Sequence, residues 1–144
     1  MKKIYFILKV LILNLLLIFS LQAAETVYFS DGKKLFNAKD FDGSKLLFEK
    51  DIVFNPKSEM SYLYLAKIFE IRDNEQEEEM NLNTVLLLNP KNEEAIYMLL
   101  ELKIKQSNFS EAEKLLEEFK LVCVSICSKD NEIENKLKNL SPDN

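Results

Sequence analysis

Two turn dipeptides, Asn55-Pro56 and Asn89-Pro90, stand 34 residues apart, and this spacing constrains the chain more than any other feature. Sliding the sequence by 34 aligns Tyr28, Tyr62 and Ile96, then Leu35 with Phe69, and Phe41 with Phe109. Phe48, Leu82 and Leu116 follow, and so do Leu47 and Leu115, with no insertion across three copies. Apolar residues align cheaply by chance; two identical turn dipeptides at one spacing do not. A period of this length marks a repeat architecture, whose units bury their apolar faces only against their neighbours.

Each unit reads as two helices. Tyr62, Leu65, Ala66 and Phe69 recur at i, i+3, i+4 and i+7, the apolar stripe of one α-helix, and Asp73-Asn74 ends it. A second helix is predicted over Glu75–Leu88. Pro90 stops it, because the residue before a proline is pushed out of helical geometry. The third unit repeats the pattern with Glu93–Gln106, a turn at Ser107-Asn108, and Phe109–Val122. The first is predicted as Glu25–Ala38 and Phe41–Phe54. Ser128–Leu140 adds an amphipathic helix with Ile133, Leu137 and Leu140 on one face and Ser128 or Asp130 as its cap. Such a segment suits the polar-faced terminal element that repeat arrays require, and residues 141–144 read as a frayed, disordered tail.

The N-terminus sets the expected compartment. Lys2 and Lys3 precede an apolar core, Val10–Leu21, and the small residues Ala23 and Ala24 precede the acidic Glu25. A basic start, a short apolar core and a small-residue exit mark a secretory signal peptide, here residues 1–24, with cleavage after Ala24 and a periplasmic product. The alternative is an uncleaved inner-membrane anchor facing the periplasm, against which Lys9 counts, since it lies inside the apolar stretch. Membrane contact is expected only in that case. Removing Lys2, Lys3 and Lys9 from 19 basic and 24 acidic residues leaves 16 against 24, a net charge near −8. An acidic domain does not attract nucleic acid. The chain contains no His, which removes His-dependent catalysis and most transition-metal sites, and only two Gly, which removes glycine-rich phosphate loops. No nucleophile–base constellation, cofactor site or metal site is expected.

The repeat resembles the tetratricopeptide repeat (TPR) family, a 34-residue helix–turn–helix unit with aromatic, small and proline residues at set spacings. Tyr28, Gly32, Phe48 and Pro56 carry the likeness in the first unit; Tyr62, Leu65, Ala66, Phe69 and Pro90 in the second; Leu99, Ala112, Leu116 and Phe119 in the third. Departures are Asp31 for the usual Leu, Leu100 for a small residue, Lys103 for Tyr, and Glu78 in a small-residue column. The resemblance implies an all-α solenoid over 25–140 with repeats near 25–58, 59–92 and 93–126 and a capping helix near 128–140. It also implies a non-catalytic adaptor whose concave face binds a protein or peptide segment. The inward columns would be Phe29, Leu63 and Tyr97, then Lys33, Lys67 and Glu101, then Phe36, Glu70 and Ile104. The first column would form a hydrophobic strip with lysines beside it, suited to apolar anchors and acidic side chains. Clamping of a C-terminal carboxylate is not implied, because Phe29, Tyr64, Glu94 and Met98 occupy most of the places that need Lys, Asn or Arg.

Three further expectations come from single features. Cys123 and Cys127 are the only cysteines, placed where earlier units carry Asn-Pro. In an oxidising compartment a structural disulfide fits them, with inert thiols and a redox-active pair as alternatives. A thiol-based redox function is accordingly the competing reading for the whole chain. The acid run Glu75–Glu79 reads as a solvated helix start favoured by the helix dipole. Val27 and Leu35, on the outer face of the first repeat, mark an edge where a second copy could pack and form a homo-oligomer.

Overall fold

The computed structural model describes residues 26–140 of the 144. The expected signal peptide, its cleavage site and the 141–144 tail lie outside the described residues. Within them are seven α-helices: α1 Val27–Asn37, α2 Phe41–Phe54, α3 Glu59–Ile71, α4 Glu75–Leu88, α5 Glu93–Lys105, α6 Phe109–Val122 and α7 Asp130–Leu140. A single 3-10 turn, Cys127–Lys129, leads into α7. Helices pack as the pairs α1–α2, α3–α4 and α5–α6; α2 meets α3, α4 meets α5, and α7 lies on α6. The fold is an all-α solenoid of three stacked helix pairs closed by a seventh helix.

The helix boundaries follow from local chemistry. Side-chain oxygens of Thr26, Asp40, Asn74, Asn92 and Asn108 accept first-turn N–H groups, from Phe29, Gly43, Glu77, Ala95 and Glu111 respectively. These groups have no intrahelical partner, so each cap removes an orphan donor. Within every pair the first helix ends alike. Lys39, Asp73 and Ser107, spaced 34 apart, have φ of 62, 55 and 58°. The next N–H reaches back to the first helix, Asp40 to the Leu35 carbonyl at 3.0 Å, Asn74 to Phe69 at 2.9 Å and Asn108 to Lys103 at 2.8 Å. This is the left-handed helix stop that glycine ordinarily makes. None of the three is glycine, and a side chain there costs roughly 1–2 kcal/mol. Lys39→Gly and Ser107→Gly are therefore each expected to stabilise the fold by about 0.5–1 kcal/mol after the larger chain entropy of glycine, measurable by urea unfolding.

Two core clusters meet at α3. Leu65, Ile68 and Phe69 of α3 pack with Phe29 and Phe48 of the first pair, while Leu63 and Ala66 join the core shared by the second and third pairs and α7. Buried on two sides, α3 is apolar around much of its circumference. The same holds more strongly for α5, where Ala95–Leu100 and Leu102–Ile104 are all buried. Two buried polar groups in these layers, Asp51 and Lys103, are paired. Asp51 is fully buried between α2 and α3 and accepts the Ser61 and Thr26 hydroxyls. Lys103, in a column where the repeat favours Tyr, extends its ammonium to Glu79 at 2.6 Å, while Asp31 pairs with Lys34 at 2.8 Å on the surface. Leu100 is fully buried, so the larger residue is absorbed by the core.

The acid run opening α4 is not uniformly solvated. Glu78 is 4% exposed, because its column faces the interior between α3, α5 and α7 rather than water. The first pair ends in an apolar patch of Val27, Val53 and Phe54, with Tyr28 stacked on Phe54 at 5.4 Å, whereas Leu35 is half-buried.

Candidate functional site

The first helices of the pairs, α1, α3 and α5, carry the residues expected to line a groove, and the structure places them in two distinct environments. Phe29, Leu63 and Tyr97 are 5%, 1% and 7% exposed. They do not form an open strip. Phe29 is held between Phe48 and Tyr64, each with ring centroids 5.7 Å away, and Leu63 is interior to the main core. Tyr97 packs on Phe119 at 5.8 Å and is roofed by the Lys129 ammonium, 4.1 Å from its ring centre. A column repeated every 34 residues is as well suited to filling successive core layers as to lining a groove, and here the core takes it. Ile104 is likewise buried, at 5% exposure.

What remains accessible is a polar and aromatic cleft of about 470 Å³ between α3, α5 and the segment after α6. Phe36, Lys67, Glu70, Ile71, Glu94 and Glu101 reach it. Phe36 is braced edge-on by Phe41 at 5.5 Å and Tyr64 at 5.1 Å. Lys67 lies over the Tyr64 ring at 4.9 Å and pairs with Glu94 of the next helix pair at 2.8 Å. Lys33 lies over the Phe29 ring at 5.4 Å. The lysine column is thus already engaged by rings and carboxylates of the chain. The negative groups set the local field: burial first, then the neighbouring Glu101, raises the Glu70 carboxyl above its ordinary value. Burial and Glu101 likewise hold the Tyr97 hydroxyl protonated. Of the residues of the predicted inward columns, the structure brings Phe36, Lys67, Glu70 and Glu101 to one accessible cleft, with the largely buried Tyr97 contributing an edge and Ile71 and Glu94 beside them. Ile71, 52% exposed at the end of α3, is an apolar contact that the column pattern did not single out as a site residue.

The segment after α6 closes one end of this cleft. The Glu93 carboxylate accepts the Val124 N–H at 2.6 Å and the Ser125 N–H at 3.0 Å, together with the Ser125 hydroxyl. That hydroxyl first, with the two N–H groups, holds the Glu93 carboxyl down at about 2. Helix α6 stops at Val122, and in the break that follows the Cys123 and Cys127 sulfurs come to disulfide-bonding distance with Cα atoms 5.2 Å apart. A bridge there closes a five-residue loop worth about 2 kcal/mol in the chain-entropy treatment. Cys123→Ser/Cys127→Ser is expected to lower stability by about that amount, with the oxidised chain two daltons lighter by non-reducing mass spectrometry. A larger depression of about 810 Å³ runs along α4 past Met80 and Leu87 and shares no residue with the cleft. No described helix is long and apolar enough to cross a membrane.

No protein-family model and no curated protein matches the chain. Solved structures do. The first TPR of Spaghetti (RPAP3) bound to the HSP90 peptide SRMEEVD superposes at a TM-score of 0.70 and 18% identity, covering 79% of this chain and 93% of that one. The Yersinia enterocolitica type III secretion chaperone SycD, in complex with a peptide of the translocator YopD, gives 0.69 at 10% identity, over 78% and 88% of the two chains. The TPR2B domain of yeast Sti1, complexed with pHsp70, gives 0.68 at 16% identity, over 81% and 98%. At such identities the likeness is one of fold, and it is the fold that the 34-residue period implied.

Proposed function

We propose, starting from this tetratricopeptide-repeat fold, that the chain is a non-catalytic protein-interaction adaptor of the cell envelope that holds a partner segment in the cleft between α3 and α5. The observation that carries the reading is the cleft itself, an accessible surface with apolar contacts at Phe36 and Ile71 and a charged floor. Solved structures of the same fold carry bound peptides from HSP90 and YopD, which supports a peptide or protein segment as the occupant. The HSP90 peptide SRMEEVD is acidic, and here Glu70, Glu94 and Glu101 would repel such a sequence. A neutral or basic segment with an apolar anchor fits better. The periplasmic setting rests on the residues 1–24 pattern, and N-terminal sequencing of exported protein tests it, with Glu25 as the expected first residue.

Binding energy concentrates in a few anchors, so Ile71→Glu is expected to weaken partner capture by roughly 1–3 kcal/mol with unchanged helix content. Leu121→Glu, at an exposed position on α6 away from the cleft, serves as the control. In vivo cross-linking followed by capture reads both. Equal capture by the two variants would remove the cleft from the proposal.

A further inference from the structure

Beside the cleft, and sharing Glu70 and Glu101 with it, lies a second cavity of about 400 Å³. Its apolar walls are Leu102, Ile104 and Leu140; its charged lining is Glu70, Glu78 and Glu101, with Lys105 and Lys136. The feature that sets it apart is Glu78. The residue as a whole is 4% exposed, and among the described residues no donor hydrogen-bonds to its carboxylate. Its oxygens are not sealed in the protein: they face the cavity. A buried carboxylate without a partner is costly, and folded proteins pair such groups. Neither cation of the lining is bonded to Glu78. Lys105 is held by Asp73 and by Glu75 at 3.0 Å, and Lys136, an exposed residue of α7, lines the cavity without an ion pair to Glu78.

We infer that this cavity is a receptor for one lysine or arginine side chain of the partner segment, its head on Glu78 and its alkyl stem against Leu102, Ile104 and Leu140. The inference deepens the adaptor reading and rests on it for the identity of the occupant. The shape of the lining carries the choice. An alkyl stem with a cationic tip matches apolar walls over an acidic floor, since lysine and arginine bury their stems while their charges find polar partners. A metal ion matches less well, because no group of three or more metal-capable side chains is gathered suitably among the described residues. The field agrees: burial first, then Glu70, Glu75 and Asp73, push the Glu78 carboxyl up to about 7, only partly offset by Lys105. Glu101 and Lys136 complete the charged groups around the cavity. A guanidinium or ammonium supplied from outside replaces the missing counter-charge.

The test uses the whole chain and a probe that needs no knowledge of the partner. Titrating n-butylguanidinium while following the Glu78 side-chain carboxyl carbon by NMR is expected to give saturable shifts and to lower the Glu78 titration midpoint. Glu78→Gln is expected to weaken probe binding roughly tenfold or more, and pentanamide, neutral and of similar length, to leave the carboxyl resonance in place. Binding unaltered in Glu78→Gln, or no saturable shift, would overturn the inference. So would tighter binding of calcium than of the probe. Lys136→Met in the ligand-free chain decides the remaining alternative. An upward move of the Glu78 midpoint would show that the chain's own lysine fills the cavity, and no move supports an external occupant. Partner capture lost in Ile71→Glu but intact in Glu78→Gln, with no probe binding, would refute this receptor and leave the adaptor standing.

Discussion

At about pH 8 the Glu78→Gln variant is expected to be more stable than the natural chain by about 3 kcal/mol, and near pH 4 the difference should close. The folded-state carboxyl is raised from 4.5 to about 7, chiefly by burial and next by Glu70. The folded chain therefore holds this proton more tightly than the unfolded chain does. Its favourable contribution is complete below 4.5 and is lost as pH rises through about 7. Glutamine mimics the protonated acid at every pH, so the variant escapes the loss. Glu79, Glu93 and Glu134 have lowered values and act in the opposite direction, with stability lost as pH falls below 4.5. Taking the difference between the two proteins cancels those groups and isolates Glu78. Chemical unfolding across this pH range reads the result, and a difference that does not vary with pH would show that folding leaves the Glu78 carboxyl unshifted.

The second large effect belongs to the first helix pair. Phe48 is fully buried, stacked with Tyr64 at 5.0 Å and tilted against Phe29 at 5.7 Å. Removing it in Phe48→Ala is expected to cost about 3–5 kcal/mol through lost burial and the cavity left behind. That is a large share of the ~5–15 kcal/mol a domain possesses. Its neighbour is specified just as closely: a Cβ at Gly32 would lie 2.8 Å from the Phe48 ring. Gly32→Ala must displace that ring and is expected to cost about 1–3 kcal/mol. Because the two positions touch, the double variant Gly32→Ala/Phe48→Leu should lose less than the sum of its parts. Urea midpoints for the four proteins test the coupling. Additive losses would mean that α1 and α2 can move apart freely.

The repeat itself was legible because a solenoid imposes one local solution at fixed intervals. Asn55-Pro56 and Asn89-Pro90, the capping residues Asn74 and Asn108, and the boundaries of α4 and α6 all act within a few residues of the chain. Groove and core were not separable in the same way. Phe29, Leu63 and Tyr97 repeat with the helices, yet their burial depends on Tyr64, Phe119 and Lys129 arriving from other elements. The first helix was read two residues too early at its start, since Thr26 caps it from outside. The Cys123–Cys127 loop was foreseen as a helix break, but its docking onto Glu93 joins residues 30 or more apart and leaves no trace in local pattern.

Periodicity, caps and apolar spacing by themselves determined an all-α stack of three helix pairs with a seventh helix beyond, because hydrogen bonding and amphipathicity within a turn or two suffice to specify them. The tertiary structure alone decided which members of a repeating column are sealed and which are open. Burial is a property of what packs on top, and the second layer comes from distant sequence. It alone placed Glu78, one acid in a run of acids, in an apolar-walled cavity instead of in water. Four consecutive helix positions point in four directions, and only the neighbours α3, α5 and α7 determine which direction faces the interior.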